Sequence, residues 1–255
     1  MTAMVRVVLD NISAVIQTGH NCKIVAFSSV DNYFSDQNAW PRVPLHKGDD
    51  GLFSIRQLAK LSGSQQGELL AIAQLATMAA PLGYASEIFS FEHNFPQFWG
   101  KIVASINIGL PLICFFLISA ERFITLKGAQ QREHACVICG YDDDRKILHV
   151  LYDNTSHWVD GFGLFQSSCS LTSTRSPEAY RNIKRRDKVF KYDLTRQQLA
   201  DRIARPPSGK NTGFKAKFFI LSPHDQTREK RLALLLQQSQ ETSLAKEIQA
   251  GFSRQ

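Results

Sequence analysis

Apolar positions recur at helical spacing in the first part of the chain. In CKIVAFSSVDNYF they lie three or four positions apart, which predicts an amphipathic helix that begins close to Cys22, with Asn21 as its N-cap. The segment SIRQLAKLSGSQQGELLAIAQLATMAAPLGYASEIFSF predicts two helices, broken between Gly63 and Gly67, and then a short strand near Ile88.

Further along, the pattern changes to short apolar runs bounded by polar or turn residues. Three of them, LPLICFFLIS, HACVICGY and ILHVLYDN, predict adjacent strands of one antiparallel sheet, and DDDR makes the hairpin between the second and the third. Because helices come first and the sheet follows, the fold class is α+β, with N-terminal helices packed on an antiparallel sheet.

One uncharged stretch, from Ile102 to Ala120, has the length of a membrane span. Asn107, Gly109 and Pro111 lie at its centre and favour a helix, a turn and a buried strand instead, so we expect no membrane span. The N-terminal apolar stretch MVRVVLDNISAVIQ is interrupted by polar residues and lacks a cleavage site, so a signal peptide is not predicted.

The hydrophobic signal weakens after Trp158. We expect a core over residues 1–165 and a basic C-terminal extension over 166–255, packed on the core. In the extension, SPEAYRNIKRR and LTRQQLADRIA predict helices, AKFFILS predicts a strand, and REKRLALLLQQSQETSLAKEIQAGF predicts a terminal helix.

Composition sets limits on the function. The formal charge of +7 would attract acidic partners, but it comes with no nucleic-acid-binding motif, so we expect no nucleic-acid partner. Five cysteines without an even framework favour a reducing compartment, and hence a cytoplasmic location or delivery into a host cell by a bacterial secretion system. The oligomeric state stays open.

Cys22 is the candidate nucleophile. A helix N-terminus stabilises a thiolate, and Cys22 is the only cysteine predicted at such a position. Cys136 and Cys139 form a C-x-x-C, but residues three apart in a strand point to opposite faces, so a shared metal is not expected. No cofactor is predicted.

His134 is the candidate general base, because it opens a predicted strand at the edge of the sheet. Asp153 ends the next predicted strand, where it would reach the ring and orient it, with Asn154 as the alternative. Gln17, five residues before Cys22, is a candidate donor to an oxyanion, or a solvent-facing residue at a helix end.

These residues carry a resemblance. QTGHNCKIVAF, the mid-region with its Leu-Gly-Tyr turn, GLPLICFFLI, HACVICGYDDD and LHVLYDN together resemble bacterial papain-like cysteine peptidases related to the bacteriocin-processing, double-glycine leader peptidase family. The resemblance covers roughly residues 12–158. It implies a papain-like fold and a Cys22–His134–Asp153 triad assisted by Gln17.

The expected function is therefore that of a thiol (cysteine) peptidase acting on an amide bond of a protein or peptide substrate. The same apparatus would serve a glutamine deamidase or an acyltransferase, and some relatives of this kind are effectors that bacteria deliver into host cells. A papain-like binding module, in which the cysteine has no catalytic role, is the non-enzymatic alternative.

Overall fold

The computed structural model describes residues 5–17, 21–46, 53–62, 64, 69, 71–119, 124–125, 132–171 and 213–236. The strands are β1 (Arg6–Val8), β2 (Ala85–Ser90), β3 (Leu112–Ile118), β4 (Arg132–Asp142), β5 (Ile147–Tyr152), β6 (Thr155–Asp160) and β7 (Lys217–Ser222). The helices are α1 (Cys22–Gln37), α2 (Ile55–Leu61), α3 (Ala73–Ala79), α4 (Phe95–Asn107), α5 (Gly161–Cys169) and α6 over 227–236.

The strands form one antiparallel sheet in the order β2-β7-β3-β4-β5-β6, with β1 paired to the end of β4. The predicted neighbours β3, β4 and β5 are adjacent, and the four residues between Asp142 and Ile147 form the predicted turn. The α+β class with an antiparallel sheet is thereby confirmed.

Helices cover both faces of this sheet. One face, which we call the α1 face, packs against α1, α2 and α3. The other, which we call the α5 face, packs against α4 and α5. Because side chains alternate along a strand, each strand supplies both faces. The α1 face carries Ile113, Phe115, Ala135, Val137, Leu151 and Phe219. The α5 face carries Leu112, Cys114, Phe116, Cys136, Ile138 and Val150.

The predicted domain boundary at residue 165 does not divide this architecture. The strand β7 pairs with β2 on one side and with β3 on the other, so a segment from the predicted extension lies inside the sheet. The helix α5 runs across the boundary itself. The predicted helices over 176–186 and 194–204 lie outside the described residues.

The uncharged stretch after Lys101 divides as predicted. Helix α4 ends at Asn107, Gly109 adopts a φ of +77° that suits glycine, and β3 begins at Leu112. Across the described ranges, none of the helices combines the length and the apolar character that a bilayer crossing would need.

A buried polar network attaches α6 to α1. The Arg231 side chain is 0% exposed and donates to both carboxylate oxygens of Asp31, at 2.6 and 2.8 Å. It also donates to Ser35 Oγ, to the Tyr84 hydroxyl and to the carbonyl of Pro41. All the donor nitrogens of the guanidinium are thus satisfied, as burial of a charge requires.

Candidate functional site

Cys22 is the first residue of α1, as predicted, and its side chain is nearly buried, with a relative exposure of 8%. Asn21 occupies the N-cap position, as predicted, although its side chain makes no capping hydrogen bond. The Asn21 side chain is 2% exposed, and neither its Oδ1 nor its Nδ2 has a hydrogen-bond partner. An unsatisfied amide therefore lies buried beside the cysteine.

The start of α1 lies next to the start of β4. Lys23, the residue after Cys22, forms a buried ion pair with Glu133, the residue before His134. The Lys23 ammonium also donates to the carbonyl of Leu69 and lies over the Phe214 ring, 4.0 Å from its centroid. The backbone segments that carry the predicted nucleophile and base are therefore neighbours.

The His134 side chain nevertheless points away from α1. It lies opposite Phe116 in the β3–β4 ladder, and its ring packs edge-on against Phe116 at 5.6 Å and Tyr152 at 6.0 Å between centroids. Phe116 belongs to the α5 face, whereas Cys22 belongs to the cluster on the α1 face. The predicted contact between Cys22 and His134 is absent from this arrangement, because Glu133 occupies the α1 face in its place.

The two candidate orienters of His134, Asp153 and Asn154, lie in the turn that follows β5. Asp153 and Asn154 have φ values of +53° and +70° and form the two-residue turn between β5 and β6. The Nε2 atom of His134 is buried without a hydrogen-bond partner. Asp153 therefore does not accept a hydrogen bond from that atom.

Gln17 meets this turn through its main chain. The Gln17 N–H donates to Asn154 Oδ1 at 2.5 Å. Gln17, the predicted oxyanion donor, and Asn154, the alternative orienter, are thus hydrogen-bonded to each other. This contact ties the segment before α1 to the tip of the β5–β6 hairpin.

Cys136 and Cys139 project from opposite faces of β4, as predicted. Cys139 Sγ lies 3.4 Å from His149 Nδ1, a pair that the sequence analysis did not single out. Burial raises the pKa of Cys139 to about 12 and lowers the pKa of His149. Both groups are therefore kept neutral, so this pair does not resemble a thiolate–imidazolium nucleophile.

An open cleft of about 1120 Å³ lies on the α5 face, at the outer edge of the sheet. It runs between β6 and α5, two elements that the sequence analysis did not predict. Its lining includes His93, Tyr152, His157, Trp158, Asp160, Leu164 and Phe165. The string HWVDGF could have indicated both elements, because alternating polar and apolar residues in it are followed by an aspartate that suits a helix N-cap.

Comparisons with known proteins give limited information. No model of a known protein family matches the chain, and a search of curated proteins finds no relative. Among solved structures, the chain is similar to a protein from Bacillus anthracis described provisionally as a C39-like peptidase. The two share 12% identity over 64% of this chain and 92% of the other, with a TM-score of 0.35, which is too low to establish a common fold.

Proposed function

We propose that the chain is a papain-like cysteine hydrolase that cleaves an amide bond in a peptide or protein, with Cys22 as its nucleophile. The position of Cys22 at the first residue of a 16-residue helix carries the proposal. The partial positive charge of a helix N-terminus stabilises the thiolate form of a cysteine there.

The chemistry would follow the usual course of acyl transfer. The Cys22 thiolate attacks the amide carbonyl, the amine leaves with a proton, and water hydrolyses the resulting thioester. The buried Nδ2 of Asn21 has no partner and lies beside the cysteine, so it is a donor available to the oxyanion. Gln17, whose main chain is bonded to Asn154, is the other candidate for this role.

Whether His134 serves as the general base is a separate question. Cys22 and His134 could meet if the start of β4 slipped by one residue, which would exchange the faces of Glu133 and His134. The Lys23–Glu133 ion pair opposes that exchange. Cys22 is therefore the proposed nucleophile, and a His134→Ala variant tests whether the imidazole takes part in the reaction.

The test compares two cysteines of equal exposure. Cys22 and Cys169 are both 8% exposed, but Cys22 begins α1 and Cys169 ends α5. Burial raises the pKa of Cys169. We expect iodoacetamide to alkylate Cys22 with a lower pH midpoint than Cys169, measured by mass spectrometry of the two peptides.

Hydrolysis is measured in parallel on a pool of fluorogenic peptides. We expect turnover that Cys22→Ala abolishes and Cys169→Ala preserves. If Cys22 and Cys169 are alkylated with the same pH profile and no peptide is cleaved, the proposal fails. Equal reactivity of Cys22 in the native chain and in His134→Ala removes only the imidazole from the mechanism.

A second candidate function is a papain-like binding module without catalysis. The placement of His134 on the α5 face, away from Cys22, favours it. It predicts no hydrolysis of any peptide, with or without Cys22. The experiments above therefore separate the two functions.

A further inference from the structure

We propose that β6 binds an extended peptide as an additional strand, and that alternate side chains of this peptide enter the cleft on the α5 face. The proposal is independent of the chemistry at Cys22. It arises from the juxtaposition of a strand edge that is unpaired among the described residues with an open, largely apolar cleft along the same strand.

The strand β6 is the outer strand of the described sheet and pairs there with β5. Asp153 and Asn154 both have positive φ values, which indicates a type I′ two-residue turn. In such a hairpin the flanking residues, Tyr152 and Thr155, form a hydrogen-bonded pair, and bonded pairs recur at every second position.

This alternation determines which main-chain groups of β6 face outward. His157 and Val159 direct their N–H and C=O groups toward β5. Ser156 and Trp158 direct theirs away from the sheet, where an added strand would pair with them. An extended backbone is the occupant that complements this spacing of donors and acceptors.

The cleft supplies the surface for side chains. Tyr152 and His157 stack at 4.4 Å between ring centroids and line it from the sheet, while Leu164 and Phe165 line it from α5. Trp158 also borders the cleft, but its ring stacks on His149 at 4.9 Å between centroids, on the opposite face of the sheet. Aromatic and aliphatic walls of this kind accept apolar side chains, and a period of two would deliver them from one face of an added strand.

The charges favour a neutral or acidic peptide. Asp160 is the one carboxylate in the described lining, and its Oδ2 accepts from the N–H of Gly163 at 2.6 Å, capping α5. The chain as a whole carries a formal charge of +7, which attracts an acidic peptide over long range. Lysine-rich peptides would be repelled over long range.

The experiment uses the full-length Cys22→Ala variant, so that no cleavage interferes. The probe is a pool of eight-residue peptides that alternate β-branched or aromatic residues with Thr or Glu, and the fluorescence anisotropy of a dye on the peptides reports binding. We expect saturable binding below about 1 mM, and weaker binding of a pool that has Lys in place of Glu.

Two changes test the strand pairing. Ser156→Pro removes one outward N–H at an edge position that tolerates proline, and Ser156→Ala is the matched control that keeps it. We expect the proline variant to lower the affinity about tenfold and the alanine variant to change it less than about twofold. N-methylation of alternate peptide amides in the tightest binder should weaken binding to the unmodified Ser156 protein to a similar degree.

Two results would overturn the proposal. One is the absence of saturable binding by the Glu pool, and the other is binding that neither Ser156→Pro nor amide methylation weakens. Self-association of the protein that Ser156→Pro abolishes, without peptide binding, would instead assign the edge to a second copy of this chain. Because the nucleophile is absent from the test protein, none of these results depends on the proposed hydrolase activity.

Discussion

Arg231 holds Asp31 in a bidentate ion pair across 200 positions of sequence, and both side chains are fully buried. Asp31 lies in the middle of α1, the helix that Cys22 begins, whereas Arg231 belongs to α6. The Tyr84 hydroxyl donates to the same carboxylate at 2.8 Å, and burial raises the pKa of this phenol, so it remains a donor. The C-terminal part of the chain therefore holds the helix that begins at Cys22 in place.

Replacing Arg231 with Met should lower the free energy of unfolding by about 3–5 kcal/mol, because the Asp31 carboxylate would stay buried without its counterion. Urea denaturation would measure this. Arg228→Met, at an exposed position of α6, is the control and should change stability by less than about 0.5 kcal/mol. A loss no larger in Arg231→Met than in Arg228→Met would contradict the structure.

Two glycines should respond to alanine in opposite directions. Gly83 has a φ of +81°, and a Cβ there would lie 2.7 Å from the Cα of Thr227, so Gly83→Ala should destabilise the protein by about 1–3 kcal/mol. Gly100 lies within α4, and an added Cβ would meet no atom within 4 Å. Gly100→Ala should stabilise it by about 0.5–1 kcal/mol. Thermal unfolding of the pair measures both, and a shared sign would refute the packing described for Gly83.

Stability should fall in mildly acidic solution partly through His149. Burial, the leading cause, lowers the pKa of this imidazole below its ordinary value of 6.5. The unfolded chain therefore binds the proton first as the pH falls, so the contribution of a neutral His149 is complete above pH 6.5 and is lost below it.

The measurement compares unfolding free energies at several pH values on both sides of 6.5. His149→Gln should flatten the decline, whereas His224→Gln, at an exposed position after β7, should leave it unchanged. An identical decline in His149→Gln and in the native chain would show that His149 does not contribute.

Cys139 should resist alkylation in the folded state. Its side chain is 0% exposed, and burial raises its pKa to about 12, so very little thiolate exists at pH 8. We expect iodoacetamide to modify Cys139 only after unfolding, as mass spectrometry with and without denaturant would reveal. Rapid native-state modification of Cys139 would show that the sheet opens between β4 and β5.

Local pattern was enough to predict the central part of the fold. The helical spacing after Cys22 predicts α1, and the three apolar runs predict β3, β4 and β5 with their hairpin. Each of these features depends on residues close together in sequence. The insertion of β7 between β2 and β3 joins segments more than a hundred residues apart, and periodicity carries no information about it.

For a related reason, the sequence could not predict which face of the sheet the His134 side chain occupies. A period of two identifies residues that share a face, but not which face a distant helix covers. A bulge between Ile138 and Gly140 adds to this, because it shifts the alternation. Cys136 and Ile138 lie on the α5 face, and after the bulge Tyr141 does. Alternation counted back from Tyr141 would therefore assign His134 to the wrong side.

The location of β7 in the middle of the sheet also bears on synthesis. While the chain is being translated, β2 and β3 cannot be joined until residues 217–222 have left the ribosome, and Arg231 must follow before Asp31 gains its counterion. A nascent chain that ends before this point would expose two unpaired strand edges and leave the buried Asp31 of α1 without its counterion, so we expect early truncation products to aggregate and not to accumulate as folded fragments.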